Sequence, residues 1–164
     1  MARVTKVSDY VIEFLKKSQV KNIFTVSGGG SMHLIDSIGK SDINFVCTHH
    51  EQAAAMAAEG DARMGGISAV VVTTGPGGTN TLTGILGSWL DSIPVIYISG
   101  QVPTSQLSAG TGCRQIGDQE FDIISVVKSI TKYAVMIEDK NEIKYHLEKA
   151  YVKATTGRPG PVWI

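Results

Sequence analysis

Val7, Tyr10, Val11, Phe14 and Leu15 recur at helical spacing and predict an amphipathic helix near the start of the chain. A short strand at 22–26 (NIFTV) runs into Ser27-Gly28-Gly29-Gly30, and a short helix over 31–38 leads to a second strand at 43–47 (INFVC). An alanine-rich helix begins near His50 and stops at Gly65-Gly66, a glycine C-cap. The β-branched run at 67–74 (ISAVVVTT) reads as a strand buried on both faces. Gly75-Pro76-Gly77-Gly78 breaks it, and Thr79 or Asn80 is placed to cap a helix reaching about Asp91. A buried strand at 94–99, a long loop over 101–118, a helix near 119–129 and a short strand at 133–137 follow. Asp139 with Glu142 makes a capping-box-like start for the last helix. Its apolar stripe is Ile143, Leu147, Ala150, Tyr151 and Ala154, and Gly157 ends it before a final strand opens at 161–164.

Strands alternating with helices predict an α/β fold: a three-layer, doubly wound, mostly parallel sheet with helices on both faces. Residues 1–164 read as one domain, excised from a longer chain because the last strand is only opening where the sequence stops. Ligands of such sheets gather at the carboxyl ends of the strands. Ser27–Gly30, His49–Glu51, Thr74–Asn80 and Gly100–Gln101 all fall there.

Acidic and basic residues balance at 15 each, with no basic stripe, which argues against nucleic acid or an anionic membrane as partner. No apolar run is long enough to span a bilayer and the first residues carry no apolar signal segment. Cys47 and Cys113 are far apart and read as free thiols, pointing to a reducing, cytoplasmic setting.

Familiar motifs fail. The glycine runs at 28–30 and 75–78 lack the spacing of a dinucleotide fingerprint, and no Gly-Lys-Ser/Thr follows to make a phosphate loop. Ala54 stands where a zinc-protease helix would need its second histidine. Strand alternation throws Cys47, His49 and His50 to opposite faces, against a metal site, and no Gly-x-Ser-x-Gly elbow is present.

The segments GGGSMHL, THHEQAAAMAAEGDAR, VVTTGPGGTNTLTGILGSWLDSIPVIYISGQV, QEFDIISVVKSITKYAVMI and GRPGPVWI, in that order, resemble the N-terminal pyrimidine-binding domain of thiamine-diphosphate-dependent enzymes, acetolactate synthase-like. The resemblance implies a cofactor, thiamine diphosphate, and a catalytic role for Glu51, which matches the glutamate that hydrogen-bonds N1′ of the aminopyrimidine. A carboxyl there promotes the imino form of the ring, whose nitrogen takes the C2 proton, and decarboxylation of a 2-oxo acid follows. Gly29 and Gly30 match a loop of pyrimidine and substrate contacts. Thr74, Gly75 and Asn80 match a cofactor loop or, read locally, cap a helix. Gln119 and His50 correspond to substrate-side positions, and His50 reads equally as an interface histidine. Arg158 corresponds to an arginine linked to FAD, or reads as a loop arginine pairing with a helix end.

The family's Gly-Asp-Gly motif for Mg²⁺ and the diphosphate is absent from this sequence. The resemblance therefore places Mg²⁺ on another domain, with no metal ligand here and the isolated domain inactive. It also implies a homodimer or homotetramer with a shared active site, the alanine helix meeting its two-fold mate. The segment Gly112–Glu120 keeps only Gln119-Glu120 of the family pattern, which leaves the 2-oxo acid and acceptor open. Two alternatives remain: a small subunit of a split 2-oxo-acid decarboxylase, and a non-catalytic α/β binding module.

Overall fold

The computed structural model describes residues 5–164. Six strands form one sheet in the order β2-β1-β3-β4-β6-β5, every neighbouring pair parallel: β1 Asn22–Thr25, β2 Asn44–Cys47, β3 Ser68–Val72, β4 Val95–Ser99, β5 Tyr133–Ala134 and β6 Val162–Trp163. The helices are α1 Val7–Lys17, α2 Met32–Lys40, α3 Glu51–Arg63, α4 Pro76–Thr79, α5 Leu82–Leu90, α6 Ile123–Val127 and α7 Ile143–Thr155. Helices α1, α2 and α7 cover one face of the sheet and α3, α5 and α6 the other.

The continuous apolar run in β3 has its reason in this layering. Ala69 and Val71 pack toward α1 and α7 with Leu15, Ile98 and Leu147. Val70 and Val72 pack toward α3 and α5 with Ala54, Ile85 and Tyr97. Both sets are fully buried, as a central parallel strand requires. Trp163 on β6 is the largest fully buried side chain; it stacks on Tyr97 at 5.7 Å between ring centroids, and its indole N–H donates to the Ser99 hydroxyl at 3.2 Å.

The alanines of α3 serve first inside the chain. Ala54, Ala55, Ala58 and Ala62 are buried against the sheet and α5. A Cβ added at Gly84 would lie 2.5 Å from that of Ala55, so the two helices meet almost backbone to backbone. Salt links hold the pair at its far end, where Arg63 bonds both Glu59 of its own helix and Asp91 beyond α5.

Helices lie on both faces as expected; the edge strand β2 is exposed along all four residues, α3 leaning instead over β1 and β3. Three expectations change. The helix expected up to about Asp91 is α5, but it starts only at Leu82 behind a separate short turn of helix, α4, and neither is N-capped by Thr79 or Asn80. The helix expected near 119–129 starts only at Ile123, where Asp122 accepts from the Ser125 amide at 3.1 Å, since Gln119 is left-handed at φ 57°. The capping box at 139–142 is half made: Asp139 accepts from the Asn141 amide at 2.8 Å, while Glu142 turns to His146 at 3.4 Å.

Candidate active site

Glu51 is the first residue of α3. Before it, His50 is extended (φ −157°, ψ 142°), and its ring Nδ1 accepts from the Gln52 amide at 3.1 Å, the N-cap of the helix. The Thr48 hydroxyl donates to the His50 carbonyl at 2.9 Å and steadies the turn out of β2. The Glu51 carboxyl thus sits at the positive end of the helix dipole. The residue is only 9 % exposed, and its Oε2 accepts from the Asn80 side-chain amide at 2.9 Å. Its Oε1 faces Gly77, where a Cβ would stand 3.6 Å away.

Gly77 also meets Thr73, the first residue past β3. A Cβ on Gly77 would fall 2.7 Å from the Thr73 methyl, and one on Gly28 would fall 2.5 Å from the Thr73 Cβ. The Gly30 amide donates to the Thr73 hydroxyl at 3.0 Å. Thr73 is therefore the hub where the glycine loop after β1 and the loop after β3 touch, and side chains at Gly28 or Gly77 would force them apart. Thr74, 4 % exposed, abuts Gly30, and its hydroxyl has no hydrogen-bond partner. A buried hydroxyl without a partner costs about 1–3 kcal/mol, so an arriving polar ligand has something to satisfy.

Gly75 adopts φ 57°, ψ −112°, and a Cβ on it would lie 2.2 Å from the backbone oxygen of Gln119. That contact brings the loop after β4 across the carboxyl edge of the sheet. The same loop is pinned by Gln101, whose amide donates to the Phe121 carbonyl at 3.1 Å, and by the Ser108 hydroxyl, which donates to Glu120 at 2.9 Å and holds its carboxyl below the usual range. Between these loops lies a cleft of about 560 Å³, bordered by Gly28–Gly30, Met32, His33, Thr73, Thr74, Gln101 and Gln119. The arrangement offers a cleft with apolar and polar walls next to a sheltered carboxyl.

Of the residues singled out from the sequence, Gly29, Gly30, Thr74 and Gln119 border this cleft, Gly75 touches Gln119, and Asn80 binds Glu51. Asn80 is thus a partner of the carboxyl, not a cap. His50 spends Nδ1 on capping α3. Arg158 lies elsewhere. Its Nε donates to the Ser92 hydroxyl at 2.6 Å and its Nη2 to the Leu90 carbonyl at 3.0 Å, at the end of α5 and at the amino edge of the sheet. Gly77 and Gln101 fall within the stretches named at the strand ends, whereas Thr73 lies just outside them; its signal is the pair of adjacent threonines that closes a β-branched run.

Among the described residues, no group of three or more His, Cys, Asp or Glu side chains is placed to hold a metal ion. Among the described residues no helix is long and apolar enough to cross a membrane. Cys47 and Cys113 are exposed and free.

Residues 5–126 match the family described as "Thiamine pyrophosphate enzyme, N-terminal TPP binding domain". The chain is 41% identical over 160 residues to a "Probable acetolactate synthase large subunit" of Methanocaldococcus jannaschii, covering 97% of this chain and 26% of that protein. It is 38% identical to the chloroplastic acetolactate synthase of Arabidopsis thaliana, covering 97% of this chain and 23% of that protein. It is 39% identical to the acetolactate synthase large subunit of Lactococcus lactis, covering 100% of this chain and 28% of that protein. The chain therefore spans about a quarter of the length of the relatives it matches.

Proposed function

The chain belongs to the N-terminal TPP-binding domain family of thiamine pyrophosphate enzymes, and from that premise we propose that its carboxyl-edge cleft takes the aminopyrimidine half of thiamine diphosphate for an acetolactate-synthase-like reaction. The observation that carries the reading is Glu51: buried, fixed at the head of α3, tied to Asn80 at 2.9 Å and adjoining the Thr73–Gly77 contact at the cleft wall. The fit rests on three features. One carboxyl oxygen is held while the other faces a glycine; Thr74 keeps an unpartnered buried hydroxyl; and Gly29, at the cleft wall, has open space where a side chain would stand, so that a flat ring can approach backbone there.

The bound cofactor would supply the carbon acid and electron sink that decarboxylating a 2-oxo acid needs. The chain's residues do the rest. Glu51 exchanges a proton with a ring nitrogen, Asn80 orients it, Gly29 and Gly30 accept the ring against the backbone, and Thr74 donates its free hydroxyl. Gln119 and Gln101 stand at the cleft mouth, where an incoming acid passes. Arg158 is an anchor for α5 in this reading, its side chain being engaged there, and a flavin contact would use its remaining N–H groups.

Mg²⁺ and the diphosphate are assigned to another domain of a longer protein, in keeping with relatives about four times this length. With that domain present, thiamine diphosphate and Mg²⁺ should support carbon dioxide release from pyruvate or a related 2-oxo acid. The 164-residue chain alone should show none. Isotopic carbon dioxide trapping with the long and short proteins tests this. Release that does not depend on thiamine diphosphate, or none from the long protein with any 2-oxo acid, would sink the proposal.

A second copy completes the arrangement. Met56 on α3 and Leu86, Trp89 and Leu90 on α5 are 46, 43, 37 and 61 % exposed, an apolar surface on adjoining helices that supports two-fold self-association. The protein should sediment as a dimer or tetramer, and Leu86→Glu with Leu90→Glu should shift it to monomer. A wild-type protein that stays monomeric at high concentration would contradict the pairing.

A further inference from the structure

Histidine before the proposed catalytic glutamate is the least explained side chain of the site. It is exposed, yet its backbone is that of an N-cap and its ring Nδ1 accepts the Gln52 amide at 3.1 Å. An imidazole nitrogen that accepts from N–H must carry a lone pair, which a protonated ring lacks. Most N-caps use Ser, Thr, Asp or Asn, whose oxygens accept across the neutral pH range. A histidine cap works only while it is uncharged, and histidine is the side chain that changes charge between about pH 5 and 8.

We propose that His50 is a positioning residue, a protonation-sensitive cap that fixes the first turn of α3 and thereby the Glu51 carboxyl. The inference rests on the reading of Glu51 given above. Three further contacts constrain this turn: the Thr48 hydroxyl on the His50 carbonyl, the Ala54 amide on the same carbonyl at 3.2 Å, and Asn80 on Glu51. Apart from the Glu51 carboxyl itself, only the Gln52 bond is made to a titratable acceptor. The titratable groups beside the ring are His49 and Glu51 on its own segment. Among the described residues no Asp or Glu oxygen forms an ion pair with it, from β1, the 75–80 loop or elsewhere. Protonation removes the acceptor and places a positive charge at the positive end of the helix, so both effects loosen the turn as pH falls.

The test uses the full-length protein loaded with thiamine diphosphate and Mg²⁺, with two readouts. One is hydrogen exchange at C2 of the cofactor; the other is protection of the Gln52 amide, resolved by fragmentation mass spectrometry, which needs no turnover. His50→Ala should lose Gln52 protection and slow C2 exchange about fivefold at neutral pH, the scale of a lost N-cap. His50→Asn, whose oxygen accepts at any of these pH values, should restore both. It should also keep Gln52 protection in acid, where a protonated imidazole could not accept.

Unchanged Gln52 protection in His50→Ala would overturn the proposal. So would His50→Asn as slow as His50→Ala with protection intact, because the imidazole would then act on substrate directly. If Glu51→Gln exchanged at the wild-type rate, the catalytic reading would fall, while the Gln52 measurement would still decide the cap.

Discussion

Replacing Glu51 with Gln in the full-length protein is expected to slow C2 exchange of bound thiamine diphosphate by about 10²–10⁴-fold, the usual size of a general acid–base contribution, or about 3–5 kcal/mol of barrier. The substitution keeps the volume of a 9 % exposed side chain, and Asn80 can still donate to its carbonyl oxygen at the present 2.9 Å. What it removes is a group able to pass a proton to and from a ring nitrogen. Cofactor affinity should change little, since the diphosphate and Mg²⁺ are assigned to the other domain. Glu51→Ala should be at least as slow and should also weaken binding, because it strands the Asn80 amide and opens a gap beside Gly77. Rapid-quench exchange followed by NMR of the released cofactor gives the rate. Equal rates for wild type and Glu51→Gln would remove Glu51 from the mechanism.

Gly75→Ala should destabilise the protein by about 3 kcal/mol or more, and should damage the cleft as well. Two costs coincide. At φ 57°, ψ −112° an L side chain is strained, typically by about 1–3 kcal/mol. The new Cβ would also lie 2.2 Å from the Gln119 carbonyl oxygen, which belongs to backbone and cannot rotate aside, so a further overpacking cost of about 1–3 kcal/mol follows. Relief requires the loop carrying Gln119 to lift from the mouth of the cleft. Denaturant unfolding should therefore show a lower midpoint, and the KM for the 2-oxo acid should rise. Stability and KM both at wild-type values would show that the contact between the two loops yields freely.

Much of the architecture can be read from residue patterns because it depends on local spacing. The β-branched run of β3 declares a strand buried on both faces, and the glycines at 28–30 and 75–78 mark loops at one edge. Glu51, Asn80, Thr74 and Gln119 could be nominated from motif order, and the fold does bring them to that edge. What could not be read depends on contacts between distant segments. Gln119 is left-handed and packed against Gly75, so the expected helix begins late at Ile123. Asn80 lies between α4 and α5 and gives its side-chain amide to Glu51 of another crossover rather than to a helix end. The alanines of α3 invite explanation by an outside partner, yet Gly84 on α5 accounts for Ala55 from within. The exposure of β2 is equally invisible, since Phe45 and Val46 are apolar in sequence but half uncovered in this chain.

The position of β6 bears on how the chain assembles. It follows the other five described strands in sequence but lies between β4 and β5, and among the described strands β5 bonds to no other neighbour. Before residues 162–163 emerge from synthesis, the Tyr133–Ala134 segment has no sheet to join, Tyr97 has no ring to stack on, and the α7 crossover leads nowhere. Everything from β1 through β4 can pair as it appears, each strand beside one already made. The final two pairings then form together as a keystone closure, made of non-local contacts whose loop entropy is met late. An interrupted synthesis would leave the edge of β4 open, with the faces that Trp163 covers bare, the kind of partly folded chain that chaperones exist to hold.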